Sequence, residues 1–261
     1  MTKPIDEFER EMATIGLSMF VAALPPAQVA AMRADCLKWV NRCRTYQIAA
    51  GVNADGDGTA HHSVGDDDAL DAYLHRHLFH PYLSQYFGGN PYILHACNPV
   101  GGFPGQRTYV HGIHRDARTY IPGYRLRINM LVMLDEFTLK NGATKILLGS
   151  QTMREMPDEN EFESRCSLIT GPAGSVVLFD SYLWHRGGIN STDRARVAHS
   201  LCFGPAFIKP QMDYARMLGE ERAVQFSELS RQVLGYNSRV PVRLEEWYRP
   251  RESRLYQADQ G

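Results

Sequence analysis

Arg125-Leu126-Arg127-Ile128-Asn129-Met130-Leu131 is the stretch on which the fold turns. In an extended chain successive side chains point to opposite faces. Leu126, Ile128 and Met130 therefore share one face, and Arg125, Arg127, Asn129 and Leu131 share the other. One side is apolar core, and the other reads as the wall of a polar cavity. The run continues to Leu134. Four more short β-branched and aromatic runs surround it: Tyr92 to Cys97, Thr144 to Leu148, Ser175 to Phe179 and Arg196 to Phe203. Asn141-Gly142 lies between two of them, where a tight turn needs residues tolerant of positive φ. This is an antiparallel β signature.

Helical patterns flank it. After Leu24-Pro25-Pro26, the residues Val29, Met32, Cys36, Val40 and Cys43 recur at helical spacing, with Leu37 and Trp39 beside the stripe. A second helix is expected from about Asp68 to Phe79. Helical spacing returns from Met212 to Leu234, with Phe226, Leu229 and Val233 on one face. Between the first two helices, Gly51 to Asp68 is rich in Gly, Asp, Asn and His, which suits a mobile loop or lid. Helices, then strands, then helices favour a mainly β fold, a sandwich or barrel core with flanking helices.

Composition sets the remaining bounds. A chain of 261 residues, 44% hydrophobic and 22% charged, can bury a sizeable core as one domain. A formal net charge of -1 offers no basic footprint, so no nucleic-acid partner is expected. The opening MTKPIDEFEREM carries acids where a secretory signal would be basic and then apolar, and no later segment is apolar for a bilayer's width. A cytoplasmic protein with no membrane partner is the expectation. The five cysteines are odd in number and scattered without CxxC spacing, which suggests reduced thiols rather than disulfides or a zinc ribbon.

The chemistry lies in His114-Arg115-Asp116. In an extended segment positions i and i+2 project to the same face, so His114 and Asp116 can grip one ion while Arg115 points away. HxD alone is common by chance, and a third ligand is needed. His185 is the candidate, directly after the run Ser175 to Phe179. Two neutral imidazoles and one carboxylate leave the opposite coordination positions open, the ligand set expected of a non-haem iron(II) oxygenase. Eleven residues on, Arg196 opens another β run, where its guanidinium could fork onto the remote carboxylate of a dicarboxylate cosubstrate.

These motifs resemble the phytanoyl-CoA dioxygenase-like family of iron(II)/2-oxoglutarate-dependent oxygenases. The resemblance runs from the helical N-terminus to about Pro210. Its carriers are HRD at 114–116, NMLVMLDEFT followed by NGAT, LGSQ at 148–151, GSVVLFDSYLWHRGGIN, and RAR at 194–196. The resemblance implies a double-stranded β-helix (jelly-roll, cupin-like) core within a single domain over 1–261. Helices and a lid loop would fill 1–90, the jelly-roll core 91–208 and a helical extension 209–261.

It further implies iron(II) held by His114, Asp116 and His185, with 2-oxoglutarate and dioxygen as cosubstrates. The remote carboxylate of 2-oxoglutarate would sit on Arg196, with Arg194 as the rival. Asn129 and Leu131, on the polar inner face, are candidates for contact with the cosubstrate. The expected activity is hydroxylation or another oxidation of a small metabolite or natural-product intermediate, with release of succinate and CO2. The family's PGSH segment reads Leu148-Gly149-Ser150-Gln151 here, so a role for its histidine does not transfer. Relatives that transfer halide replace the carboxylate ligand by a small residue, whereas Asp116 is present.

Several signals compete with this reading. Asn53 to Gly58 imitates a calcium loop, but its twelfth position is Val64 rather than Glu. His61 and His62 read as exposed loop imidazoles, and His75, His77 and His80 as surface residues. His111 lies three residues before the HRD motif and faces away from it in extended geometry, which suits an entrance residue. His199 reads as a core histidine. Arg107, Arg118, Arg125 and Arg127, interleaved with Tyr109, Tyr120 and Tyr124, would suit a small, anionic substrate, or else pair with acids such as Asp135 and Glu136. A metal-dependent, non-oxidative cupin-type isomerase or epimerase is the alternative activity, with Arg196 anchoring substrate. Oligomeric state is not encoded in any motif.

Overall fold

The computed structural model describes residues 3–52 and 58–261. The calcium-loop imitation falls almost wholly outside them, at 53–57. Eight strands are present among the described residues: β1 (Leu17–Phe20), β2 (Tyr92–Gly102), β3 (Ile128–Met133), β4 (Lys145–Ile146), β5 (Ser167–Leu168), β6 (Val176–Asp180), β7 (His185–Arg186) and β8 (Arg196–Pro205). They make a major sheet in the order β1-β6-β3-β8-β2 and a minor sheet β5-β4-β7. Every pairing is antiparallel. This is the two-layered, jelly-roll core of the expected class.

β3 sits at the centre of the major sheet, paired to β6 on one side and β8 on the other. Its alternation is realised as two separate cores. Ile128, Met130 and Val132 pack with Val176, Leu178, Val197 and Leu201 against the helices, while Leu131 and Met133 meet Val177, Phe179 and Ile146 between the sheets. A one-residue slip would exchange the two faces, so this double burial fixes the register of β3.

The outer face is covered by α1 (Ile5–Thr14), α2 (Pro26–Ala49), α3 (Ala69–His75) and α4 (His80–Tyr86). α2 begins with Pro26 at a position where its missing N–H costs nothing, and it buries Val29, Met32, Cys36, Trp39 and Val40. Trp39 belongs to the buried stripe rather than beside it, because its indole N–H donates to Asp68 Oδ2 at 2.8 Å. Met32 is fully buried, and cutting it to Ala would cost about 2–5 kcal/mol.

The helix expected over 68–79 is shorter, and a further helix begins only beyond that span. α3, capped by the Asp68 side chain, ends at His75, the chain turns with His77 at φ 49, and α4 restarts with Pro81 in its first turn. A proline can open a helix but not continue one. The tail departs in the same way. After α5 (Glu159–Arg165), the span 212–234 holds three short helices, α6 (Tyr214–Leu218), α7 (Glu220–Ala223) and α8 (Glu228–Val233), followed by α9 (Leu244–Trp247). Gly219 at φ 79 stops α6, and Ser227 caps α8 anew.

The N-terminal third is not only helices and a lid. β1 forms an edge of the major sheet against β6. The described part of the 51–68 loop runs along β2: Thr59 bridges to Val100, Ala60 N–H donates to Pro99 O and Ser63 N–H to Cys97 O, both at 3.0 Å. It occupies what would otherwise be an exposed strand edge, and residues 58–60 are buried. No helix among the described residues is long and apolar enough to cross a membrane. The five cysteines are free thiols.

Candidate metal centre

The chain reaches the site through a turn after β6. Asp180 Oδ1 accepts the Tyr182 N–H at 2.8 Å, and its other oxygen accepts the hydroxyl of Tyr86 at 2.9 Å, which anchors the turn to α4. Ser150, within the LGSQ segment, accepts the Trp184 N–H at 2.9 Å while donating to Leu147 O at 2.6 Å. His185 is thereby delivered to the start of β7. Its N–H donates to His114 O at 2.8 Å, and the His114 N–H returns to His185 O at 3.0 Å. The two imidazoles lie with ring centroids 4.3 Å apart.

Asp116, two residues beyond His114, completes the group. His185 Nε2 is 3.6 Å from one of its carboxylate oxygens and His114 Nε2 is 3.8 Å from the other. One donor atom from each of the three lies within 4.8 Å of the others. The imidazoles are prepared alike: His114 Nδ1–H donates to Gly112 O at 2.8 Å and His185 Nδ1–H to Leu183 O at 2.9 Å. With Nδ1 protonated, each Nε2 lone pair is free for a metal, the outer bonding that ligating histidines show. Burial pulls the His185 imidazole below its ordinary value, and His114 lowers it further while Asp116 and the Leu183 carbonyl pull it up. The neutral, ligating form is the one burial favours.

Asn129 and Leu131 hold different places. Leu131 lines the cavity beside the triad. Asn129 instead reaches the triad itself, its Nδ2 donating to Asp116 Oδ2 at 2.6 Å. It orients the carboxylate rather than lining the space around it.

Arg196 lines the same cavity, of about 160 Å³, as His114, Asp116 and His185. It is buried, its Nε has no hydrogen-bond partner, and the guanidinium rests 4.4 Å over the Phe137 ring. Burial lowers its pKa to about 10, partly offset by Asp135. It stays charged at neutral pH, so a desolvated cation faces the cavity with no ion pair among the described residues. Asp135 cannot supply one freely, since its carboxylate is taken by Arg33 at 2.8 Å and the Val197 N–H at 2.8 Å. The rival Arg194 is exposed. Two imidazoles, a carboxylate and a buried guanidinium in one small cavity fit a divalent transition metal together with a dicarboxylate. A larger hollow of about 310 Å³, between Tyr86 and the chain end at Gly261, holds no such donor set.

Other expectations change. Arg125 is turned out of the cavity and held by both oxygens of Glu9, at 3.0 and 2.9 Å. His61 and His62 are partly buried. His61 Nε2 meets the Tyr109 hydroxyl at 3.3 Å and lines the cavity, while His62 Nδ1 meets that of Tyr214 at 2.9 Å. His75 and His77 are not free surface residues but share Ser230 Oγ at 2.9 and 2.8 Å, and His80 bonds Tyr92 at 2.8 Å. His111 closes its own turn, accepting the Thr108 N–H at 2.8 Å. His199 is fully buried, 3.2 Å from Cys97 Sγ, as a core histidine would be. Asn98, Thr144 and Ser200 line the cavity and were not singled out by sequence. Asn98 and Ser200 stand singly in apolar runs and Thr144 just before β4, with no motif to mark any of them as part of the site.

Residues 15–198 match the family model described as phytanoyl-CoA dioxygenase (PhyH). An uncharacterized protein of Mycobacterium tuberculosis is 34% identical over 172 residues, 66% of this chain and 62% of that protein, so the match spans about three fifths of the relative's length. Dioxygenase ALT11 of Alternaria alternata is 26% identical over 258 residues, covering 91% of this chain and 84% of the relative. Among solved structures, AviO1 from Streptomyces viridochromogenes aligns at TM-score 0.60 with 19% identity, over 80% of this chain and 99% of that one. EctD from S. alaskensis, solved with 2-oxoglutarate and 5-hydroxyectoine, aligns at TM-score 0.57 with 18% identity, over 77% of this chain and 76% of that one.

Proposed function

The chain belongs to the phytanoyl-CoA dioxygenase family, and on that premise we propose that it is an iron(II)- and 2-oxoglutarate-dependent dioxygenase that hydroxylates, or otherwise oxidises, a small metabolite or natural-product intermediate. The observation that carries the reading is the shared cavity of His114, Asp116, His185 and Arg196, whose buried Nε has no hydrogen-bond partner among the described residues. The dioxygenase names of relatives support it, as does the 2-oxoglutarate bound in the EctD structure.

Bound iron would supply the activation of dioxygen, coupled to conversion of 2-oxoglutarate into succinate and CO2. His114, Asp116 and His185 would hold the metal from one side, leaving the other side for cosubstrate and dioxygen. Asn129 keeps the Asp116 carboxylate turned inward through its 2.6 Å hydrogen bond. Arg196 would fork onto the remote carboxylate of the cosubstrate, gaining the counter-ion that its burial denies it. Leu131, Phe179 and Ala198 give the cavity an apolar portion of wall against which the reacting carbon would be shielded from water.

Anaerobic addition of iron(II) and then 2-oxoglutarate tests the reading. Chelation by the keto acid should produce a visible charge-transfer band, and substrate should then be oxidised with succinate release. Absence of the band would return the chain to the isomerase reading, in which Arg196 anchors substrate.

A further inference from the structure

The inner face of the major sheet carries an arginine at each end. Arg196 opens β8 opposite Gly102. β8 then runs antiparallel to β3, with Leu131 opposite Ser200 and Asn129 opposite Cys202, which brings Arg127 level with Gly204. The two arginines are separated by eight residues of sheet, on the order of 25 Å of backbone. The triad lies between them, so one short dicarboxylate chelated there cannot satisfy both.

Arg127 is not neutralised. Its Nη2 donates to the backbone carbonyl of Asp116 at 2.5 Å, and it makes no ion pair among the described residues. Arg125, two residues earlier, has the bidentate Glu9 that Arg127 lacks. Gly204 makes the room: a Cβ there would stand 3.2 Å from Arg127 Cγ, so the arginine stem lies across β8 toward β2.

At that level the register of β2 shifts between Leu94 and Ala96, and the extra residue is His95. Bulges beside active sites re-aim a side chain. His95 is 7% exposed, its Nδ1 has no partner, and the charges acting on its ring are those of Arg127, His62 and Asp116. A buried ring nitrogen with no partner among the described residues, at the same level of the sheet as a guanidinium whose charge acts on it and which has no ion pair among them, leaves two polar groups ready for one anion.

We propose that Arg127 and His95 form a substrate-side subsite for a carboxylate, so that the substrate is a small carboxylate-bearing molecule seated beyond Asp116. A single guanidinium with one imidazole matches a planar monoanion better than a phosphate dianion. The assignment rests on the proposed oxygenase reading only for the identity of the second anion, the cosubstrate on Arg196.

The test uses the full chain with 13C-labelled histidine, zinc(II) in place of iron and saturating 2-oxoglutarate, titrated with sodium acetate against sodium chloride at equal ionic strength. The His95 ring signal is assigned by its loss in His95→Gln. It should move saturably with acetate and stay still with acetamide. Arg127→Gln should weaken the response about tenfold or more, the charge-retaining Arg127→Lys less, and Arg196→Gln not at all. No acetate response at His95, or an equal one in Arg127→Gln, overturns the subsite. Tighter saturation by inorganic phosphate than by acetate overturns the carboxylate class. If zinc and 2-oxoglutarate leave the His114 and His185 signals unmoved while acetate still shifts His95, the oxygenase reading fails and the subsite stands.

Discussion

His114 and His185 face each other across an antiparallel bridge, each donating its backbone N–H to the other's carbonyl, at 2.8 and 3.0 Å. Residues 71 positions apart in sequence are therefore locked in register by main-chain bonds. Asp116, two residues on in a bend, brings its carboxylate to 3.8 Å from His114 Nε2 and 3.6 Å from His185 Nε2. Only His185 lies in a strand; His114 is tied to it by that bridge, and Asp116 sits in the bend that follows, its carboxylate held by Asn129.

Asn129 is expected to tune the metal without touching it. Asn129→Leu keeps the side-chain size but removes the donor to Asp116, and should weaken iron(II) affinity about 10- to 100-fold. Competition against a chromogenic chelator measures it. Asp116→Ala should abolish turnover while leaving the melting temperature within a few degrees; unchanged metal affinity in both variants would remove Asp116 from the site.

Arg196→Ala should mainly raise the 2-oxoglutarate requirement. Losing a charge-assisted fork is worth about 1.5–3 kcal/mol, or roughly 10- to 100-fold in KM for the cosubstrate. Steady-state kinetics with succinate as the readout decide this, and wild-type values would transfer the role to Arg194.

Gly142 holds the Asn141-Gly142 turn at φ 80, and a Cβ there would lie 2.3 Å from the Gly188 carbonyl. Gly142→Ala should destabilise the fold by about 2 kcal/mol or more, from left-handed strain plus the clash with the Gly188 backbone in the segment after β7. Urea unfolding provides the measurement. A loss below half that value would mean that the turn rearranges freely.

Stability should fall on acidification below neutrality. Burial lowers the His199 pKa to about 3 from the ordinary 6.5. The unfolded chain thus binds a proton that the folded chain refuses. The resulting stabilisation is complete above about pH 6.5 and is lost progressively as pH drops toward 3, with a slope of about 1.4 kcal/mol per pH unit. His77, lowered to about 4 by burial and by its neighbours His75 and His80, acts in the same sense. Urea midpoints between pH 7.5 and 5 should show the decline, and His199→Asn should flatten it; a slope that this variant leaves unaltered would assign the effect elsewhere.

The sequence by itself determined the β core, the α2 stripe and the candidate residues, because these depend on periods of two and 3.6 and on residue chemistry, which are local. Leu126, Ile128 and Met130 could be separated from Leu131 without coordinates for that reason. Tertiary structure alone decided which polar residues meet. Nothing near Asn129 marks it as a partner of Asp116 rather than a cavity lining, nothing near Arg125 announces Glu9 across 116 residues, and the bulge that re-aims His95 breaks the very alternation a sequence reading relies on. Pairing across a sheet is set by register between distant strands, and that register is a property of the folded whole.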